Sequence, residues 1–241
     1  MIRWTLIDSA AIPSGGEMRL KQRNGEFSIT LGATPLMNSR GTGSEEALAT
    51  LACDRIRGRK RPHILIGGLG MGFTLRAASA VLGADARITV AELVPAVVAW
   101  GRGPLAGLFK NCLDDPRVDV HEGDVGELIR SSVSTYDAIL LDVDNGPEGL
   151  TSKLNDRLYD ELGLKAARRA LKPGGVLAIW SATPSRLFTQ RLHACGFDGG
   201  QIRIRAGGAR SVIWIAAPVD ASRRRSNAPK QLRSRPSTRD R

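Results

Sequence analysis

Apolar and polar positions divide this chain into two patterns. Over residues 1–40 the apolar runs are short and strand-like. Residues 4–7, 17–22 and 26–31 read as strands, and Asn24-Gly25 between the last two is a hairpin signal. Residues 41–62 read as a helix. Gly43-Ser44-Glu45-Glu46 supplies an N-cap and an acidic first turn, and Ala47, Leu48, Leu51 and Ala52 form an apolar face. From residue 63 strands alternate with helices. The predicted strands are 63–67, 87–91, 118–121, 136–143 and 176–180, with 202–205 and 211–216 closing the sheet as an antiparallel pair. The predicted helices are 73–82, 95–102, 125–131, 155–170 and 185–195, and Lys172-Pro173-Gly174-Gly175 forms a turn that stops the fourth. Such alternation predicts an α/β fold, a mostly parallel seven-stranded sheet covered on both faces, preceded by a small N-terminal β region.

Composition changes this picture at the carboxyl end. The 241 residues carry a formal net charge of +11. Residues 219–241 hold eight basic side chains against two acids and few apolar residues, so a disordered basic tail is expected there. Three regions follow: a β region over 1–40, an alternating strand–helix domain over 41–218, and the tail over 219–241. The tail offers contact with nucleic acid, against the plainer reading of a solvated appendage. Cys53, Cys112 and Cys195 show neither disulfide nor zinc-ligand spacing, which suits a reducing cytoplasm. No apolar run approaches the ~20 residues of a membrane span. His63, His121 and His193 fall on separate elements, so no metal is expected.

The chemistry concentrates where strands meet helices. Gly67-Gly68-Leu69-Gly70-Met71-Gly72-Phe73 joins the first sheet strand to the first following helix, where glycines let the backbone turn and approach a ligand at a helix N-terminus. A dinucleotide fingerprint needs a small residue at Phe73, so that reading fails. The spacing Gly68, Gly70, Gly72 instead resembles the first motif of class I S-adenosylmethionine-binding enzymes. Glu92 ends the next strand, 20 residues after Gly72, and is placed to accept hydrogen bonds from ribose hydroxyls. Asp124 follows the third strand and suits either an adenine contact or a helix N-cap. Asp142 and Asp144 end the fourth strand, where open α/β sheets bind ligands. Two acids there suit a cationic amine, and like charge is expected to raise the pKa of one of them toward base work. Turn formation around Asn145-Gly146-Pro147 is their bland alternative.

Taken together these segments resemble the spermidine synthase-like (polyamine aminopropyltransferase) family, within the class I methyltransferase superfamily. The resemblance runs over residues 36–217. It rests on the glycine loop, Ala91-Glu92-Leu93, Asp114-Asp115-Pro116-Arg117-Val118 with Gly123-Asp124, Tyr136-Asp137 to Asp142, and Leu158-Tyr159 before Leu171-Lys172-Pro173. It implies a Rossmann-like class I methyltransferase fold and transfer of an aminopropyl (or methyl) group to a small-molecule amine. The donor is S-adenosylmethionine or its decarboxylated form. Glu92 is implied to hold the ribose, Asp124 the adenine, and Asp142 to act as the catalytic carboxylate, with a homodimer as one assembly. Four places depart from the pattern, among them Asp142-Val143-Asp144-Asn145-Gly146-Pro147 for the family's Asp-Ser-Ser-Asp-Pro and Gly163-Leu164 for its Phe-Tyr pair. Gly70 stands where the family carries an aspartate for the donor amine, and Ser44-Glu45-Glu46 stands where it carries Tyr-His-Glu. A methyltransferase acting on RNA or a small molecule, and an adenosyl-binding protein without catalysis, remain alternatives.

Overall fold

The computed structural model describes residues 3–13, 15–143, 146–147, 157–206 and 208–219. Asp144, the start of the predicted fourth helix (155–156) and the basic tail from residue 220 lie outside the described residues.

Four antiparallel strands open the chain in the order β1 (Thr5–Ala11), β2 (Glu17–Arg23), β3 (Glu26–Leu31), β4 (Thr34–Asn38). The Asn-Gly signal resolves into a tight hairpin that pairs Arg23 with Glu26. Both turn residues take positive φ, 49° at Asn24 and 74° at Gly25, as the twist of such a hairpin requires. β4 was not legible as a strand, being short and interrupted by Pro35. Leu20 and Ile29 point inward and join one apolar cluster with Leu48, Ile66 and Met71. On β1, Asp8 accepts the indole N–H of Trp100 at 2.7 Å. The small sheet is thereby fastened to the larger one.

The second sheet has seven strands in the order β10-β11-β9-β8-β5-β6-β7. These are β5 (His63–Gly67), β6 (Arg87–Glu92), β7 (Val118–Glu122), β8 (Tyr136–Leu141), β9 (Leu171–Ser181), β10 (Phe197–Ala206) and β11 (Ala209–Pro218). β5 pairs in parallel with both β6 and β8, and β8 with β9. β11 runs antiparallel to β9 and β10. All six residues of β8 are buried, which is why, Asp137 apart, it reads as an apolar run rather than an alternation. The chain moves outward from β5 in both directions, so the gap between the carboxyl ends of β5 and β8 is the switch point where this architecture binds ligands.

The helices are α1 (Gly43–Arg55), α2 (Phe73–Val81), α3 (Pro95–Arg102), α4 (Ala106–Phe109), α5 (Val125–Ser131), α6 (Glu161–Ala170) and α7 (Arg186–Ala194). α4 has no counterpart in the sequence reading, and α1 and α6 differ from it. α1 ends at Arg55, not near residue 62, because the chain turns through Gly58 at φ +83°. Its N-cap is Thr42, and the Ser44 hydroxyl bonds to Glu45 Oε2 instead of capping. α6 begins at Glu161, capped by Asp160, whose Oδ1 accepts the Gly163 N–H at 2.7 Å. The predicted turn over residues 172–175 lies inside β9. Leu171 pairs with Tyr136 and Val176 with Ala138, so the residues between them bulge outward through Gly174 at φ +68°.

Candidate active site

The pocket lies over the carboxyl ends of β5, β6 and β8. Its floor is the loop from Gly68 to Gly72. The Gly68 N–H donates to the Ala91 carbonyl at 2.9 Å, and the Asp142 N–H to the Gly67 carbonyl at 2.9 Å, so the ends of the three strands are locked together. Gly68 sits at φ +89°, and a Cβ there would collide with the carbonyl oxygen of Asp142. Gly70 sits at φ +51°, and its Cβ would meet the Met37 methyl at 2.6 Å. The first glycine is thus required by a close approach of main chains. The second lies under a side chain from the small sheet. Gly72 is the N-cap of α2.

Glu92 is buried at the end of β6. Its Oε2 accepts the Leu69 N–H and its Oε1 the Val94 N–H, both at 2.9 Å. Burial pushes its pKa up, while these backbone N–H groups pull it back. The acid therefore braces the glycine loop and the turn after β6, with the Gly70 and Leu93 N–H groups acting on it beside those of Leu69 and Val94. Asp124 also serves its helix. Oδ1 caps α5 through the Gly126 N–H at 2.8 Å, and Oδ2 faces Arg130 at 3.2 Å. Both acids line the pocket.

Asp142 lies one residue beyond β8, which ends at Leu141, rather than on the strand itself. Thr74 on α2 donates its hydroxyl to Asp142 Oδ2 at 2.6 Å. Burial raises the Asp142 pKa to about 7, the Thr74 bond opposes the rise, and the charge of Glu45 adds to it. Asp144, the expected like-charge partner, lies outside the described residues. The acid that acts on Asp142 here is Glu45, from α1, and desolvation outweighs it.

Glu45, Thr74 and Met37 were not among the candidate residues. Glu45 was read as helix-dipole decoration, though its place in the Ser44-Glu45-Glu46 departure was a signal. Nothing in the local pattern marks Thr74 or Met37. The wall above the glycine loop comes from the small sheet, through Ile12, Met18, Ile29, Leu31, Leu36 and Met37. Trp180, at the end of β9, lines the same pocket. Its buried indole N–H has no hydrogen-bond partner in the structure. The histidines stay apart, His63 beside Thr89 Oγ1 at 3.0 Å and His193 beside the Gly199 carbonyl at 2.9 Å. Among the described residues no helix is long and apolar enough to cross a membrane.

Comparison with known proteins places this geometry in context. The family model described as the spermine/spermidine synthase domain matches residues 45–190. The polyamine aminopropyltransferase of Nitrosomonas europaea is 34% identical over 98 residues, 41% of this chain and 29% of that protein. Polyamine aminopropyltransferase 1 of Streptomyces coelicolor is 34% identical over 128 residues, 51% of this chain and 23% of that protein. The matches thus span less than a third of either relative. Among solved structures, the spermidine synthase from Thermotoga maritima aligns with a TM-score of 0.71 at 17% identity, covering 95% of this chain and 79% of that one. A spermidine synthase in complex with the transition state analogue AdoDATO aligns with a TM-score of 0.69 at 18% identity, covering 96% and 81%. At such identity the structural likeness is one of fold.

Proposed function

This chain belongs to the spermine/spermidine synthase family, and from that premise we propose that it is an aminopropyltransferase acting on decarboxylated S-adenosylmethionine and a small-molecule amine. The observation that carries this reading is the charge of the pocket. Its described lining includes four carboxylates, from Glu45, Glu92, Asp124 and Asp142, and no lysine or arginine. A donor that bears a sulfonium and an ammonium group finds counter-charges there. The free carboxylate of S-adenosylmethionine itself finds none, and an unpaired anion in a partly dry site is costly. That asymmetry favours the decarboxylated donor over ordinary methyl transfer.

In this reading the adenosyl group lies over Gly68–Gly72, with its ribose on Glu92 and its adenine beside Asp124. A neutral amine attacks the propyl carbon next to the sulfonium. The new C–N bond forms as the C–S bond breaks, and its electron pair returns to sulfur, leaving 5′-methylthioadenosine. Asp142 takes the proton released by the new ammonium. Its pKa near 7 suits that transfer at neutral pH. Most of the acceleration comes from holding nitrogen, carbon and sulfur in line. The test is incubation of the full chain with a diamine and either donor, followed by mass spectrometry. An aminopropyl increment on the amine together with 5′-methylthioadenosine is the expected result. A methyl increment from S-adenosylmethionine overturns it in favour of a methyltransferase, and no product with either donor in favour of an adenosyl-binding protein.

A further inference from the structure

Several other acids among the described residues are paired with cations. Asp137 meets Arg59 at 2.7 Å and Lys172 at 2.6 Å. Asp115 meets Arg117 at 2.6 Å. Glu46, next to Glu45 in sequence, meets Arg76 at 2.7 Å. Glu45 and Asp142 differ. Both line the pocket, both are held only by neutral hydroxyls, from Ser44 and Thr74, and no cation pairs with either among the described residues. Thr74 links the two segments, since its Oγ1 lies 2.6 Å from Asp142 Oδ2 and 3.4 Å from the Glu45 carbonyl oxygen.

The surroundings of this pair are apolar and cramped. The glycine loop contributes no side chain at Gly70, where Met37 occupies the space a Cβ would need. Leu36, Met37 and Ile29 supply a surface suited to methylene groups. Two carboxylates in such a place repel one another and are partly shielded from solvent, so the matching occupant is an alkylammonium: a short apolar stem ending in a cation with three donors.

We propose that Glu45 is a ligand-binding residue of the transfer reaction, its carboxylate and that of Asp142 together holding a primary ammonium group. This deepens the aminopropyltransferase reading and rests on it. The ammonium belongs either to the propyl arm of the donor or to the acceptor amine, and the experiment separates the two. Full-length wild-type, Glu45→Gln and Glu45→Asp chains are titrated calorimetrically with two adenosyl cations. Decarboxylated S-adenosylmethionine carries sulfonium and ammonium. 5′-Dimethylsulfonio-5′-deoxyadenosine carries the sulfonium alone. The Michaelis constant for the amine acceptor is measured in parallel.

If the ammonium is the donor's, Glu45→Gln weakens decarboxylated S-adenosylmethionine by about tenfold or more, in the range of a lost charge-assisted hydrogen bond, and the sulfonium-only ligand by less than about twofold. If it is the acceptor's, both donors bind normally and the acceptor's KM rises by a similar factor. In each case Glu45→Asp recovers part of the loss. Equal weakening of both adenosyl cations assigns Glu45 a structural role and overturns the proposal. So does a Glu45→Gln chain with unchanged binding and KM, which leaves the transferase reading intact. A wild-type chain that binds neither adenosyl cation overturns both.

Discussion

The Thr74 hydroxyl donates to Asp142 Oδ2 at 2.6 Å, joining the first turn of the helix after the glycine loop to the residue that follows the central strand β8. That bond favours the ionised acid, whereas burial and the Glu45 charge favour the protonated one. The pKa near 7 is the balance of these effects, and each can be removed separately.

Turnover should therefore rise with pH as Asp142 ionises, with a midpoint near 7 in kcat/KM. Thr74→Val removes the bond to the carboxylate and should move that midpoint to higher pH. Glu45→Gln removes a like charge and should move it lower. Asp142→Asn should reduce turnover by roughly 10²–10⁴-fold while leaving affinity for the sulfonium-only adenosyl cation nearly unchanged, because the proposed nucleoside contacts are Glu92 and Asp124. A profile that is flat from pH 5 to 9 in all variants would remove Asp142 from the proton transfer.

Glu92 links loop geometry to ligand affinity, since its two oxygens take the Leu69 and Val94 N–H groups. Glu92→Ala leaves two buried donors without partners, each worth about 1–3 kcal/mol. The variant should melt several degrees lower and bind adenosyl ligands at least tenfold more weakly. A large loss of affinity with an unchanged melting temperature would mean that the acid serves the ligand alone.

Met37 and Gly70 should be energetically coupled across the two sheets. Gly70→Ala brings a Cβ to 2.6 Å from the Met37 methyl at a residue of φ +51°. It should destabilise through both the contact and the left-handed backbone. In a Met37→Ala background the contact disappears and only the backbone cost remains. A double-mutant cycle by urea denaturation should yield a coupling of about 0.5–2 kcal/mol. Strict additivity would mean that Met37 does not press on the loop.

What the sequence displayed was local. The hairpin at Asn24-Gly25, the buried strand β8, the proline-started helix α3 and the placement of Glu92 at a strand end all follow from neighbours in the chain. The errors came from long-range contacts. The helix does end at Ala170 ahead of Lys172-Pro173-Gly174-Gly175, but that segment is a bulge inside β9, whose pairing with β8 already begins at Leu171. The pairing of Asp142 with Asp144 falls on a residue outside the described ones, while Glu45, which went unnoticed, acts on Asp142 from 97 positions upstream. The upper wall of the pocket was invisible because it is built from a sheet whose strands carry no chemistry of their own.

At the opposite end of β8 from Asp142, Asp137 does structural work, and its pKa is displaced in the opposite direction. Its carboxylate is buried, with Arg59 Nη1 at 2.7 Å, Lys172 Nζ at 2.6 Å and the His63 N–H at 2.8 Å. Burial alone raises its pKa, but the Lys172, His63 and Arg59 bonds outweigh it, and the net direction is downward. A group whose pKa is lower folded than unfolded stabilises the native state above the unfolded value, about 3.9 for aspartate. That stabilisation disappears as the pH falls through the folded value. Asp137→Asn keeps the shape, loses the charge, and should cost about 1–3 kcal/mol at pH 7. Urea midpoints for wild type and variant should be well separated at pH 7 and converge as the pH is lowered through 4 toward 3. A separation that stays constant over that range would mean that the carboxylate charge contributes nothing and that packing alone accounts for the loss.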